Sequence, residues 1–237
     1  MSQIIERVRQ ALGVQAGDGR ARQVFAKSRE FLECAVAQPS AQERAGWMES
    51  IRREALALKL HLHESPDLEA CGEAVAALAR ARDPEWGTLK QIMRWSDPIL
   101  DELGLEHRLA GDIAVRTVPM ADSFSPSERQ EFRREVIASY IGVTTADYLL
   151  ADTASLALLG GPGRTRTVSL VPSIHIAVVP DSRIIASYRQ LLSLLSARSL
   201  PSHMTVVTGP SKTADIEATL VHGAHGPREM HLFIVAS

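Results

Sequence analysis

The chain has 237 residues, of which 45% are hydrophobic and 23% charged, the balance of an ordinary globular protein able to bury a full core. A formal net charge of −2 and an aromatic content of 5% argue against a general nucleic-acid binder, which needs a basic face or stacking platforms. There is no apolar run of about 18 residues that could span a bilayer, and the opening MSQIIERVRQAL is charged where a signal peptide needs an apolar core. The two cysteines, Cys34 and Cys71, are far apart and form no cluster or zinc motif. The expectation is a cytoplasmic protein with no membrane span, no bound metal and no cofactor of its own.

Residues 1 to 110 read as successive helices. Ile4, Ile5, Val8 and Leu12 recur at helical spacing, and Val24, Phe25, Phe31 and Leu32 begin a second amphipathic segment. A helix is predicted from about Ala41 to His63, carrying Ile51, Leu56, Leu58, Leu60 and Leu62. On such a helix His61 and His63 point to different faces, so they read as surface residues and not as a metal pair. After the break Glu64-Ser-Pro-Asp67, Leu68 to Arg82 forms an Ala-rich helix. Asp83-Pro84 ends or restarts it, Trp86, Ile92 and Trp95 lie on the next segment, and Ser96-Asp-Pro98 launches Ile99 to Leu105.

From Gly111 onward, short strands alternate with helices. Ile113 to Val118 is β-branched, and Ser125 to Glu128 fits a capping box, with Pro126 in the first helical position, ahead of a charged helix reaching Tyr140. Tyr148 to Leu150, Leu156 to Leu159, Val168 to Val171 and Ile174 to Val179 read as buried strands, and Arg183 to Ala197 as a helix. Met204 to Val207 and Met230 to Val235 complete the sheet. Alternation of this kind predicts a mostly parallel α/β sheet (residues 111 to 237) preceded by a helical segment (1 to 110), with a site in the loops at the strands' carboxyl ends.

Two tempting motifs fail. Gly161-Pro-Gly163-Arg-Thr-Arg166 lacks the third glycine of a dinucleotide fingerprint, and Gly209-Pro-Ser-Lys-Thr213 has Ser211 where a P-loop needs its second glycine. Three loops remain. Asp152, Thr153 and Ser155 put a carboxylate beside two hydroxyls at a bend, fit for a nucleophile, base or ligand, or for a turn held by Asp152. Gly161 and Gly163 lead to Arg164, whose guanidinium can grip a carboxylate or phosphate, or lie solvated in a simple turn. In the third loop, Gly209, Ser211, Lys212 and Thr213 precede a predicted helical turn, Thr213 to Glu217, whose free amides suit an anion, although Ser211 or Thr213 can also serve as a plain cap. Asp215, Glu217, His222 and His225 follow, in no standard metal spacing. His175 interrupts an apolar strand and reads as a core histidine unless it faces the loops.

The segments GVTTADYLLADTASLALLGGPGR, TVSLVPSIHIAVV, TGPSKTADIE and HGAHGPREMHLFIV, in this order and spacing, resemble the LUD-domain family and its lactate-utilisation protein C branch. The resemblance covers about residue 110 to the end; residues 1 to 110 are similar only as a helical leader. It implies a fold like that of the ribose-phosphate isomerase, glucosamine-phosphate deaminase and CoA-transferase group, a Rossmann-like sheet flanked by helices. It also implies a part in oxidising L-lactate to pyruvate alongside separate iron–sulfur proteins, with the clusters on those partners. Asp152 and His225 would then handle protons or orient a small carboxylate or phosphate. The alternative is a stand-alone acyl/CoA-transferase or sugar-phosphate or folate-type enzyme with Asp152 as nucleophile. Where the family has Glu-Thr-Gly, this chain has Asp152-Thr153-Ala154, and alanine is expected to forbid a left-handed backbone there.

Overall fold

The computed structural model describes residues 39–120, 125–196, 201–214, 220–222 and 226–236. Expectations for residues 1–38, Cys34 included, lie outside them. Ser40 opens helix α1 (Ala41–Leu58) with a capping box: its hydroxyl accepts from the Glu43 amide, and its own amide donates to Glu43 Oε2 at 2.8 Å. The helix stops at Lys59, which turns left-handed at φ 60°. Strand β1 (His61–Ser65) follows. The helix expected through His63 therefore ends early, and His61 and His63 lie on a strand, where residues two apart share a face.

Asp67 caps α2 (Leu68–Ala81), accepting from the Ala70 amide at 2.7 Å. Next come β2 (Gln91–Arg94), where a helix was expected, then the short helices α3 (Pro98–Glu102) and α4 (Leu105–Arg108), and β3 (Ala114–Thr117). The Ser125–Glu128 capping box forms as predicted and starts α5 (Pro126–Ala138). Strands β4 (Ile141–Thr145), β5 (Tyr148–Leu150) and β6 (Ser155–Leu159) follow. Val168 to Val171, expected as a strand, lies in the one-turn helix α6 (Thr167–Leu170) and its cap. Beyond β7 (Ile174–Pro180), the expected helix from Arg183 is delayed by a 3₁₀ turn (Asp181–Arg183) and β8 (Ile184–Ile185); α7 runs Tyr188–Ser196. The remaining described strands are β9 (Met204–Val207), β10 (Lys212–Ala214), β11 (Leu220–His222) and β12 (Glu229–Val235).

Six strands form one all-parallel sheet in the order β1-β12-β7-β4-β2-β3. Its central strands are buried almost end to end, as expected for a parallel sheet covered on both faces. β1 and β2 come from before residue 110, so the sheet crosses the boundary drawn there from the sequence. A smaller sheet, β8-β5-β6-β9, packs over the first. Leu149, Leu156 and Leu158 point into the main core, while the alternate residues Leu150 and Ala157 meet Ile185, Leu191 and Leu195 beneath α7. In the large sheet, β2 connects outward to β3 while β4 connects the other way to β7. The crevice at the carboxyl ends of β2 and β4 is thus the topological switch point, where open α/β sheets commonly bind ligands.

Candidate functional site

Two of the three predicted loops meet. β5 and β6 are joined by a turn in which the Ala151 and Asp152 amides donate to the carbonyls of Ile185 and Ala186 at 2.8 and 3.2 Å. Asp152 and Thr153 are exposed, and the Thr153 hydroxyl donates to Asp152 Oδ1 at 3.1 Å. Ala154 adopts φ 46° although fully buried, so the left-handed geometry thought closed to alanine is taken up. β6 and β9 are antiparallel, with Leu156 opposite Val207, which brings the start of one beside the end of the other. There the hydroxyls of Ser155 and Thr208 hydrogen-bond at 2.7 Å.

Past Thr208, Gly209 turns at φ 77° against Leu58, and the Ser211 amide donates to the Pro227 carbonyl at 2.8 Å. The helical turn expected from Thr213 does not begin there. Lys212 and Thr213 lie on β10, paired antiparallel with His222 and Val221 of β11, so these residues form a hairpin and not a helix N-terminus. The anion cradle expected from a helix start is therefore absent among the described residues. Asp215, Glu217 and His225 lie outside them.

The third loop is elsewhere. β6 carries the chain from Ser155 to Leu159 before Gly161 and Arg164, so Arg164 sits beyond the opposite end of that strand, at the switch-point crevice. Its guanidinium is already engaged. One arm donates to Asp147 Oδ1 at 2.8 Å and another to Asp97 Oδ2, while the group lies 5.4 Å from the Trp95 ring centroid. Asp97 is nearly fully buried; it also caps α3 and accepts from the Thr145 hydroxyl at 3.0 Å. Burial pulls the Arg164 pKa down, but Asp147 and Asp97 outweigh it and leave it raised. Gly161 O closes the turn on the Arg164 amide, and Gly163, at φ 72°, comes so close to Ser96 that a Cβ would lie 2.8 Å from the serine's. The expected phosphate-gripping loop is thus an internal clasp, because two acids far off in sequence neutralise its cation.

A second polar cluster was missed. β1 and β12 are parallel with His61 opposite His231 and His63 opposite Phe233, so one face collects three imidazoles and Glu229. His231 Nε2 is 2.6 Å from Glu229 Oε1, and His63 Nε2 is 3.0 Å from His231 Nδ1. One set of tautomers satisfies both contacts: His63 donates to His231, which donates to Glu229. Arg82 Nε and Nη2 also donate to Glu229 Oε1, at 2.9 and 2.7 Å. Burial pushes His231 down to about 4, against the pull of the carboxylate. Glu229 is itself lowered: burial would raise it, but Arg82 and His231 prevail. The alternation Leu60-His61-Leu62-His63 was the sequence signal for this strand.

His175 is a core histidine. Its Nε2 meets the Thr144 hydroxyl at 2.9 Å, its Nδ1 is buried without a hydrogen-bond partner among the described residues, and complete burial lowers its pKa from 6.5 to about 4. A folded-state pKa below the unfolded value means that the unfolded chain takes up the proton first as acid is added. The contribution of neutral His175 and His231 is therefore complete above about pH 6.5 and is lost as pH falls toward 4. Unfolding free energies measured with urea across this window are expected to fall, by on the order of 3 kcal/mol for His175 alone. The slope should flatten in His175→Gln.

The architecture is that of a Rossmann-like α/β domain with polar loops gathered on a second small sheet. Residues 48–235 match the family model described as LUD domain, and the chain belongs to that family. It is 34% identical over 143 residues to the lactate utilization protein C of Halalkalibacterium halodurans, covering 58% of this chain and 59% of that protein. Against the protein of that name from Bacillus subtilis, identity is 30% over 145 residues, covering 59% and 60%. The matched stretches thus span about three fifths of these relatives' length. A crystal structure of a DUF162 family protein from Deinococcus radiodurans superposes with TM-score 0.51 at 18% identity, covering 83% of this chain and 99% of that one, a likeness of fold. Among the described residues, no helix is long and apolar enough to cross a membrane.

Proposed function

We propose that this chain is a component of an L-lactate utilisation system, in which the 151–155 turn and the 208–211 loop hold a small carboxylate. The observation that carries the reading is the Ser155–Thr208 hydroxyl bridge, which joins two loops 53 residues apart beside an exposed carboxylate, Asp152. The Thr153 and Gly209 amides and the loop hydroxyls would hold the ligand carboxylate, and Asp152 would take the proton from the lactate hydroxyl. Oxidation to pyruvate breaks the O–H and C2–H bonds of lactate and releases two electrons and two protons, one proton to Asp152 and the other to solvent. The electrons would pass to iron–sulfur clusters on separate partner proteins in the cytoplasm. In this chain Cys71 is fully buried, and burial pushes its thiol up to about 12, which disfavours a thiolate ligand at neutral pH. The names of the relatives and membership of the LUD domain family support the pathway.

Thermal unfolding with L-lactate or pyruvate at about ten times Kd is expected to shift Tm upward by roughly 3–5 °C, and Ser155→Ala with Thr208→Val should abolish the shift. No shift in the unaltered protein would remove the carboxylate site. A covalent acyl adduct on Asp152 would instead support the acyl-transfer alternative.

A further inference from the structure

The geometry points to a divalent metal site built from His61, Glu229 and His231, at the amino-terminal end of the large sheet and independent of the lactate reading. The parallel register sets His61 directly opposite His231 and places Glu229 two residues earlier on the same face. The two imidazoles stack with centroids 4.7 Å apart and 17° between planes, and one ligand atom from each of the three residues lies within 4.8 Å of the others. Tetrahedral zinc spaces its ligands by about 3.3 Å, so the widest separation has to contract by roughly 1.5 Å, within the reach of rotamer adjustment at exposed His61.

Two nitrogens and one oxygen suit Zn²⁺ and disfavour Mg²⁺ or Ca²⁺, which take all-oxygen shells. Three protein ligands leave a fourth position. It opens toward a cavity of about 390 Å³ lined by His61 and Glu229 together with Arg82, Glu85, Ser173 and Arg228. An open position of this kind holds water or a small oxyanion.

His63 supplies the support that metal-bound histidines need. It already hydrogen-bonds His231 Nδ1 at 3.0 Å and stacks on Phe233 at 4.3 Å, which fixes its ring. On metal binding the proton on His231 Nε2 shifts to Nδ1, and His63 turns from donor to acceptor by the opposite tautomer change. The pair keeps its hydrogen bond, and no net proton is lost from it. The Arg82 and His231 bonds to Glu229 all fall on Oε1, which leaves Oε2 as the oxygen to take zinc while Arg82 stays in place.

The test is calorimetric titration of the untagged, chelator-stripped full chain with ZnCl₂, with Co²⁺ absorption as a reporter of tetrahedral nitrogen ligation. The expected result is one Zn²⁺ per chain, not displaced by excess Mg²⁺, together with an intense Co²⁺ ligand-field spectrum. His61→Ala alters an exposed side chain and should weaken zinc binding by more than about 100-fold, and His63→Phe by roughly 10- to 100-fold. His107→Ala, an exposed histidine elsewhere, should leave it unchanged. Absence of stoichiometric zinc binding, or binding that survives His61→Ala, overturns the proposal.

Discussion

Gly142→Ala is expected to cost at least about 4 kcal/mol, a large share of a typical domain stability of roughly 5–15 kcal/mol. Gly142 sits in the middle of β4, in register with Met93 of β2 on one side and His175 of β7 on the other. A Cβ there would lie 1.9 Å from the Val168 carbonyl oxygen, 3.0 Å from its carbon and 3.1 Å from Pro172 Cγ. The obstruction is backbone, so no rotamer change relieves it. The segment that would have to move is held at both ends: the Trp95 indole donates to the Thr165 carbonyl at 2.8 Å, and the Ile174 amide to the Tyr140 carbonyl at 3.1 Å. α6 can lie on the sheet only because this position has no side chain. Urea denaturation should show either a midpoint loss of this size or no cooperative transition. A loss below about 1 kcal/mol would mean that α6 does not pack as described.

Arg164→Met is expected to cost about 3–5 kcal/mol, as when one partner is removed from a buried ion pair. Asp97 has a side chain only 2% exposed, and without the guanidinium its charge is left with the Thr145 hydroxyl and the Ile99 amide. Adding Asp97→Asn to Arg164→Met should recover a large part of the loss, since the amide keeps the α3 cap and brings no charge. A double-mutant cycle by urea denaturation gives the coupling directly. An Arg164 free to grip a ligand would instead show a loss under about 1 kcal/mol and no coupling to Asp97.

The fold was legible wherever local pattern and tertiary environment agree. The apolar runs of β7 and β12 and the capping box of α5 carry their structure in the sequence. β1 and β2 did not, for different reasons. In β1 the leucines at 60 and 62 fit the end of a helix as well as the alternation of a strand. β2 is a four-residue strand, QIMR, buried throughout, so it shows no alternation at all. α6 inverts the error: its β-branched residues favour a strand, but the bare backbone at Gly142 lets a helical turn settle there. Of the candidate loops, 151–155 and 209–213 were singled out, and the pairing of β6 with β9 joins them through Ser155 and Thr208, the second of which was not. Arg164 was misread because its partner Asp97 lies 67 residues away. The histidine cluster was invisible because only the parallel register of β1 with β12 assembles it, across 168 residues for the His63–His231 contact.

Residue-resolved NMR titration with pyruvate tests the location of the carboxylate site most directly. Saturable amide shifts are expected on Thr153, Ser155, Thr208 and Gly209, with the Trp95 indole N–H and the Arg164 side chain unmoved. Shifts centred on Trp95 and Arg164, or no saturable shifts at all, would contradict it.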